Sequence, residues 1–378
     1  MSMKDYLNTA LYTAKKSAIR EFAALAAATP GCVSLTLGEP DFATPAAVKA
    51  EVTAALGRDE THYIPNNGMP ALREAVAAFE NARNGADYTA EEVIVTAGAT
   101  EALFCALFGI LNPGDEVIVP MPAFVLYEQI VNLCRGVTVK LDTADRNFQI
   151  DGDRLKSLVT DKTKAIVLNS PNNPTGCVYT RESLRAVYDA VKGKPVFVIC
   201  DDVYRDLIYT DDYMSFAQFR DLREQILLVQ SYSKPYAMTG WRMGYLISDS
   251  SVNERLRLAH QFNVVSTPAP FQTACVTALK CDVSPFRKTY DERRKYALSR
   301  LRGMGLPVTE PLGAFYLFPD ISAAGEDSFS FCARMVKEAL VAAIPGACFG
   351  ADDHIRISYA CDMDVLKTGL DRMERFLR

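Results

Sequence analysis

Between residues 90 and 250, short apolar runs alternate with longer stretches whose apolar residues recur at helical spacing. The runs are 92–96 (EVIVT), 116–119 (EVIV), 164–169 (KAIVLN), 196–200 (VFVIC), 226–229 (ILLV) and 244–247 (GYLI). Each is apolar on both faces, as strands of a sheet covered on both sides must be. Helical stretches at about 101–111, 124–135 and 180–192 fit between them as crossovers. The pattern predicts an α/β fold with a mostly parallel central sheet covered by helices, and ligands collect at strand C-terminal ends in such a fold. After about residue 285 the texture changes to a charged helix (290–301), a strand-like AFYLF (314–318), a helix near 328–342 and HIRIS (354–358). This reads as a smaller α+β domain. Segment 33–42 fits neither period and is expected to join that smaller domain from the other end of the chain. The expected division is 1–42 (N-terminal segment and part of the small domain), 43–283 (large domain) and 284–378 (small C-terminal domain).

Several strand ends carry unusual polar groups. TAGATE (96–101) is a small-residue turn opening a helix, whose free N–H groups and positive end suit a phosphate; alone it reads as an ordinary strand-to-helix turn. NSPNNPTG (169–176) has two prolines and a glycine that fix a turn able to aim Asn173 at a ligand, although singly it is just a turn. In DDVY (201–204) a carboxylate ends a central strand with a phenol three residues on; by itself that is a helix-capping aspartate. SYSKPYAMTGWRMGY (231–245) sets Lys234 and Arg242 eight residues apart among hydroxyls and glycines, and one lysine among 41 basic residues is ordinarily a surface group. On one rim of one sheet, a phosphate cradle, carboxylate, phenol, lysine and arginine together match the needs of pyridoxal 5'-phosphate. Buried beside Arg242 and the cofactor, the Lys234 amine is expected to have a lowered pKa, and so to serve as nucleophile and then base near neutral pH.

Composition narrows the alternatives. A net charge of -5 without runs of like charge argues against nucleic-acid or anionic-membrane partners. No apolar stretch of about 18 residues and no leader-like N-terminus is present. The ten cysteines form no C-x-x-C pair and read as reduced core thiols of a cytoplasmic protein. His62, His260 and His354 stand in no ligand spacing, so no metal is expected, and no phosphate-binding G-x-x-x-x-G-K-[ST] run occurs.

One ordered series spans most of the chain: LGEPDF (37–42), YIPNNG (63–68), GAT (98–100), PNNPTG (171–176), DDVY (201–204), SYSK (231–234), GWRMG (240–244) and RISY (356–359). It resembles the class I aminotransferases of the fold type I pyridoxal phosphate enzymes, the aspartate aminotransferase superfamily. The resemblance implies that Lys234 carries the aldimine link, that Asp201 partners the pyridine nitrogen, and that Tyr204 and Asn173 bond the ring hydroxyl. Phe124, in PAFVLY (122–127), would stack on the ring, its plain alternative being core packing. The phosphate would be held by Gly98, the Ala99 and Thr100 backbone, the hydroxyls of Ser231 and Ser233, Arg242, and Tyr63 of the other subunit of a homodimer with shared active sites. Arg356 would grip the substrate α-carboxylate with Gly38 and Asn173, its plain alternative being a surface strand arginine.

The implied reaction moves the α-amino group of an L-amino acid to a 2-oxo acid, with 2-oxoglutarate the family-level expectation, through a pyridoxamine phosphate intermediate. Lys234, Asp201 and Tyr204 would be catalytic. Asp202 stands where many relatives have glutamate, outside the expected ring interaction. No cation clearly pairs with a distal substrate carboxylate; Arg20, in SAIREF (17–22), lies in a segment that borders the site in relatives. The same fold and residues also serve carbon–sulfur β-lyases, whose signature is pyruvate and ammonia without an oxo-acid acceptor. A cofactor-sensing regulator would usually carry a basic helix-turn-helix segment, and none is read here.

Overall fold

A computed structural model describes residues 3–14 and 18–378; Met1 and Ser2, and residues 15–17 with Ser17 of the N-terminal segment noted above, lie outside the described residues. The chain opens with helices α1 (Ala10–Thr13) and α2 (Ala18–Ala28), strand β1 (Val33–Ser34) and helices α3 (Ala46–Gly57) and α4 (Pro70–Asn84). Then come β2 (Val93–Thr96), α5 (Ala99–Ile110), β3 (Glu116–Met121), α6 (Leu126–Leu133), β4 (Val137–Asp142), α7 (Gly152–Leu158), β5 (Thr163–Asn169), α8 (Arg181–Val191), β6 (Phe197–Asp201), β7 (Ile226–Ser231) and β8 (Gly244–Ile247). These seven strands form one sheet in the order β2-β8-β7-β6-β5-β3-β4.

Strands β3 to β7 pair in parallel, and each apolar run foreseen in the sequence is a strand. The last run departs in direction, for β8 is antiparallel to both β7 and β2. Its connection from β7 contains no α-helix, and without a crossover helix the chain returns the opposite way. Strand β4 was not legible as a strand, because as an edge strand it is mostly exposed or half-buried, with only Leu141 buried, instead of being buried on both faces. Register sets Asn169 beside Asp201 and Ser231 beside Gly244, so the polar strand ends share one rim.

The remaining elements are α9 (Ser250–Asn263), α10 (Ala269–Ala278), α11 (Ser284–Gly303), β9 (Tyr316–Leu317), α12 (Ser328–Ala339), β10 (Val341–Ala342), β11 (Ile344–Pro345), β12 (Ile355–Ser358) and α13 (Met363–Leu377). Strands β11, β12 and β9 form a small antiparallel sheet, while β1 pairs in parallel with β10, joining the N-terminal segment to the C-terminal part. Helix α12 stops short of residue 342 because Leu340 is left-handed, φ 55°, and β10 follows at once. All ten cysteines are unpaired. Cys105, Cys177, Cys200, Cys275 and Cys332 are buried, whereas the other five are half-buried, which corrects the expectation that they are core thiols throughout. No helix among the described residues is long and apolar enough to cross a membrane.

Behind the rim, a buried ion pair ties α4 to the segment after β6. Arg205 Nη1 donates to Glu80 Oε2 at 2.7 Å, Asn84 donates to the same oxygen at 2.9 Å, and the Tyr245 hydroxyl donates to Oε1. Glu80 is fully buried, so removing its carboxylate strands a buried guanidinium. Glu80→Ala is expected to lower stability by about 3–5 kcal/mol, read by denaturant unfolding, and a loss under about 1 kcal/mol would show that water compensates Arg205.

Candidate active site

At the C-terminal rim of the sheet lies a cavity of about 280 Å³. Strands β5, β6 and β7 bring Asn169, Asp201 and Ser231 to it, and the turns that follow bring Asn173, Tyr204, Ser233 and Lys234. The first turn of α5 adds Ala99 and Thr100, and the segment before α6 adds Phe124. Gly38 comes from the N-terminal segment, and Tyr316 and Arg356 from the small antiparallel sheet. Arg242 closes the end beside α5.

Asp201 is buried. Its Oδ2 accepts the Tyr127 hydroxyl at 2.6 Å, whereas its Oδ1 is buried without a partner. Desolvation pushes this carboxyl up to about 6 against the lowering pull of Tyr127, the Val203 amide and Lys234. Burial likewise lowers the Lys234 amine to about 8; the Arg356 charge adds to this and Arg242 contributes less, while Glu39 opposes. Lys234 Nζ donates to the Gly38 carbonyl at 2.5 Å, and among the described residues no carboxylate makes an ion pair with it. The expected depression is therefore present, with Arg356 outweighing the Arg242 foreseen from sequence.

Arg356 is 2% exposed. Its Nη1 donates to Asn173 Oδ1 at 2.9 Å and its Nη2 to the Thr36 carbonyl at 2.8 Å, leaving Nε–H buried and unpartnered. It is thus no surface strand arginine. The Tyr204 and Tyr316 hydroxyls lie 2.9 Å apart, and the bond between them uses one hydrogen and leaves the other to donate onward. Either hydroxyl can be that donor.

The phosphate-cradle end is shaped by glycine. Gly98 caps α5 at φ 78°, and a Cβ on it would fall 2.6 Å from Arg242 Nη2. Gly38 is as tightly confined, for a Cβ would meet the Tyr316 hydroxyl at 2.2 Å. The free amides of the α5 first turn, the nearby Ser231 and Ser233 hydroxyls and the Arg242 guanidinium form a donor set suited to a phosphate. The Arg242 guanidinium donates to the carbonyls of Thr239 and Ala97 at 3.0 and 3.4 Å.

Three residues named from the sequence do not line this chain's cavity, Tyr63 and Asp202 consistent with the roles expected of them. Tyr63 does not line the cavity; it stands 94% exposed beside His62 and Pro268 at a separate surface hollow. Arg20 points to solvent from α2, whose Ile19 faces the cavity instead. Asp202 is buried away from the cavity, accepting the Ser215 hydroxyl at 2.6 Å. Tyr127 and Tyr316 were not singled out from sequence. Tyr127 follows Phe124 by three residues, a spacing that could have flagged it; Tyr316 carries no local signal.

The pyridoxal phosphate donor set finds matching groups here: an unpartnered carboxylate oxygen for a ring N–H, a neutralisable amine for an aldehyde, and a cationic end for a phosphate. Sequence comparison gives the same direction. Residues 30–373 match the family model "Aminotransferase class I and II". The chain is 38% identical to a probable N-acetyl-LL-diaminopimelate aminotransferase of Bacillus subtilis, covering 99% of this chain and 96% of that one. It is 39% identical to an aspartate aminotransferase of Pyrococcus abyssi, covering 100% and 99%. The crystal structure of aspartate aminotransferase from Thermotoga maritima superposes with a TM-score of 0.95 at 36% identity, covering 98% of this chain and 100% of that one.

The Lys234 environment sets a pH dependence. In cofactor-free protein its amine should become reactive toward a trace acylating reagent with a midpoint near pH 8 rather than 10.5, measured by peptide mass mapping against surface lysines. Between those two values the unfolded chain keeps a proton that the folded chain has shed, so stability should rise with pH across that window. A labelling midpoint matching the surface lysines would show that the site does not depress this amine.

Proposed function

The chain belongs to the class I and II aminotransferases, pyridoxal phosphate enzymes acting on amino acids and 2-oxo acids, and from that premise we propose that it moves the α-amino group of an L-amino acid to 2-oxoglutarate at the cavity around Lys234. The observation that carries this reading is the convergence of one depressed amine, one orphaned carboxylate oxygen and one orphaned guanidinium N–H on a single cavity. When bound, the cofactor supplies an aldehyde that condenses with amines and a ring that accepts the electron pair left at the substrate Cα.

The chain's own residues do the rest. With its pKa near 8, Lys234 Nζ keeps about a tenth of its amine unprotonated at pH 7, so it is the group that would hold the aldehyde end of the cofactor and would take a proton from the substrate Cα. Asp201 Oδ1 would accept the ring N–H and hold that proton in place, with Tyr127 fixing the other carboxylate oxygen. Tyr204 and the Asn173 amide would donate to the ring hydroxyl oxygen, and Phe124 would cover the ring. Arg356 receives the α-carboxylate through its unpartnered Nε edge, with the Gly38 backbone beside it. The Gly98 to Thr100 turn, Ser231, Ser233 and Arg242 would hold the phosphate.

Tyr63 is assigned to the phosphate of a partner subunit in a homodimer. Its exposure supports this, as does that of Phe262 at 83% and Val265 at 48%, large apolar groups that a second copy would cover. The ten unpaired cysteines accord with a cytoplasmic setting, and the domain division at 42/43 and 283/284 enters as part of the same proposal. Both relatives cited above bear aminotransferase names, so amino transfer is carried forward over the β-lyase reading. Among the described residues, the cations lining the cavity are Lys234, Arg242 and Arg356, all engaged by the reaction core, so a distal substrate carboxylate would be met by a cation outside that set.

A panel of single amino acids, each given to the holoenzyme without acceptor, should produce the stoichiometric absorbance change of a half-reaction and rank the donors. Continuous release of pyruvate and ammonia without acceptor would favour the lyase. Lys234→Ala should lower amino transfer about 10³-fold or more. Arg356→Ala should raise KM for the amino acid about tenfold to a hundredfold, the worth of hydrogen bonds to a charged group, and an unchanged KM would remove Arg356 from the carboxylate site.

A further inference from the structure

We propose that His260, which the reaction core does not use, is a positioning residue that locks the phosphate end of the cofactor site to the segment carrying Tyr63. His260 lies on α9 and is fully buried. Its Nε2 is 2.7 Å from the Asn66 carbonyl oxygen, and its Nδ1 is 2.9 Å from Glu101 Oε1. A carbonyl can only accept, so Nε2 carries the hydrogen on that side. Glu101 also accepts from the Ala97 N–H at 2.8 Å through Oε2 and from the Cys105 thiol at 2.9 Å through Oε1. The imidazole thus bridges the Asn66 carbonyl at Nε2 and the Glu101 carboxyl at Nδ1, a span that a glutamine or asparagine amide does not reproduce.

What the two ends hold gives the bridge its role. Glu101 belongs to the first turn of α5, and its grip on the Ala97 amide fixes the turn whose next carbonyl accepts from Arg242. Asn66 lies three residues after Tyr63, its side chain donates to the Val265 carbonyl at 2.8 Å, and the following Asn67 carbonyl accepts from the Val95 amide at 3.0 Å. One run of bonds thus joins Arg242, Ala97, Glu101, His260 and Asn66, connecting a chain's own phosphate cradle to the arm assigned above to its partner's phosphate. The inference rests on that assignment of the cradle. Glu101, Cys105 and His260 also bring three potential metal-ligand atoms within 4.8 Å of one another, but each already makes a hydrogen bond in the network.

The test compares His260→Phe, which keeps a ring and deletes both ring nitrogens, with His260→Gln, which can restore one hydrogen bond, and with Cys105→Ala as a control that leaves both ends of the bridge intact. Pyridoxal phosphate affinity is measured by equilibrium dialysis of the cofactor-free protein, alongside the phosphorus NMR signal of the bound phosphate and the melting temperature with and without cofactor. The expected result is a dissociation constant weakened about tenfold for His260→Phe and less for His260→Gln, a displaced phosphorus signal in both, and a Cys105→Ala value within about twofold of the parent. Should the phenylalanine variant not fold, the glutamine variant's phosphorus signal and affinity decide. Unchanged affinity and signal, with melting temperature lowered equally with and without cofactor, would reduce His260 to a core histidine and overturn the proposal. One zinc per chain, lost on substitution, would overturn it in favour of a metal centre. A parent protein that binds no pyridoxal phosphate would bring down the cofactor reading first, and this inference with it.

Discussion

An amine at residue 234 sits in a cavity it shares with two guanidinium groups, and none of the three is matched by an ion-paired carboxylate among the described residues. Lys234, half-buried, and Arg356, buried, are like charges in a poorly solvated space, which is unfavourable and only partly offset by the buried Asp201 carboxylate, while Arg242 is exposed. Two remedies exist, and the site uses both. The amine, the only one of the three that can readily lose its proton, is pushed toward the neutral form it needs for chemistry. The guanidinium groups keep their charge, which gives the cavity a cationic group at each end, Arg242 beside α5 and Arg356 beside β12.

That arrangement depends on the sheet's geometry. Parallel strands deliver their C-terminal ends to one rim, so Asn169 and Asp201 become neighbours and Ser231 lies two strands from Asn169, although the three are far apart in sequence. The antiparallel β8 lets the chain double back there, which returns Arg242 to the same rim as Lys234 and presses Gly244 so close to α5 that a Cβ would fall 2.9 Å from the Ala99 nitrogen. The carboxylate end is assembled differently. Arg356 comes from the small antiparallel sheet, Thr36 and Gly38 from the N-terminal segment, and Tyr316 from β9, so three distant pieces of chain must dock before that end exists.

How far the sequence could be read follows the range of each interaction. The cavity-lining motifs were legible because each is short and chemically punctuated: TAGATE, NSPNNPTG, DDVY and SYSK each end or follow an apolar run. Strand β4 was missed because an edge strand has one side that need not be apolar. Tyr127 and Asp201 are 74 residues apart, Tyr204 and Tyr316 are 112 apart, and Arg356 and Thr36 are 320 apart; no local pattern announces such pairs. His260 shows the same limit. It was read as a histidine in no ligand spacing, yet it faces a glutamate 159 residues away and a carbonyl 194 away.

The sequence by itself determined the class of fold, the rim on which the chemistry collects and the residue types available there, because hydrophobic period and turn chemistry act over a few residues. Only the tertiary structure decided which carboxylate oxygen of Asp201 is left free, that Arg356 rather than Arg242 does more to depress Lys234, that Ile19 and not Arg20 faces the cavity, and that β8 runs backwards. Those outcomes depend on burial and on distances between groups remote in the chain, and both are fixed only when the layers pack.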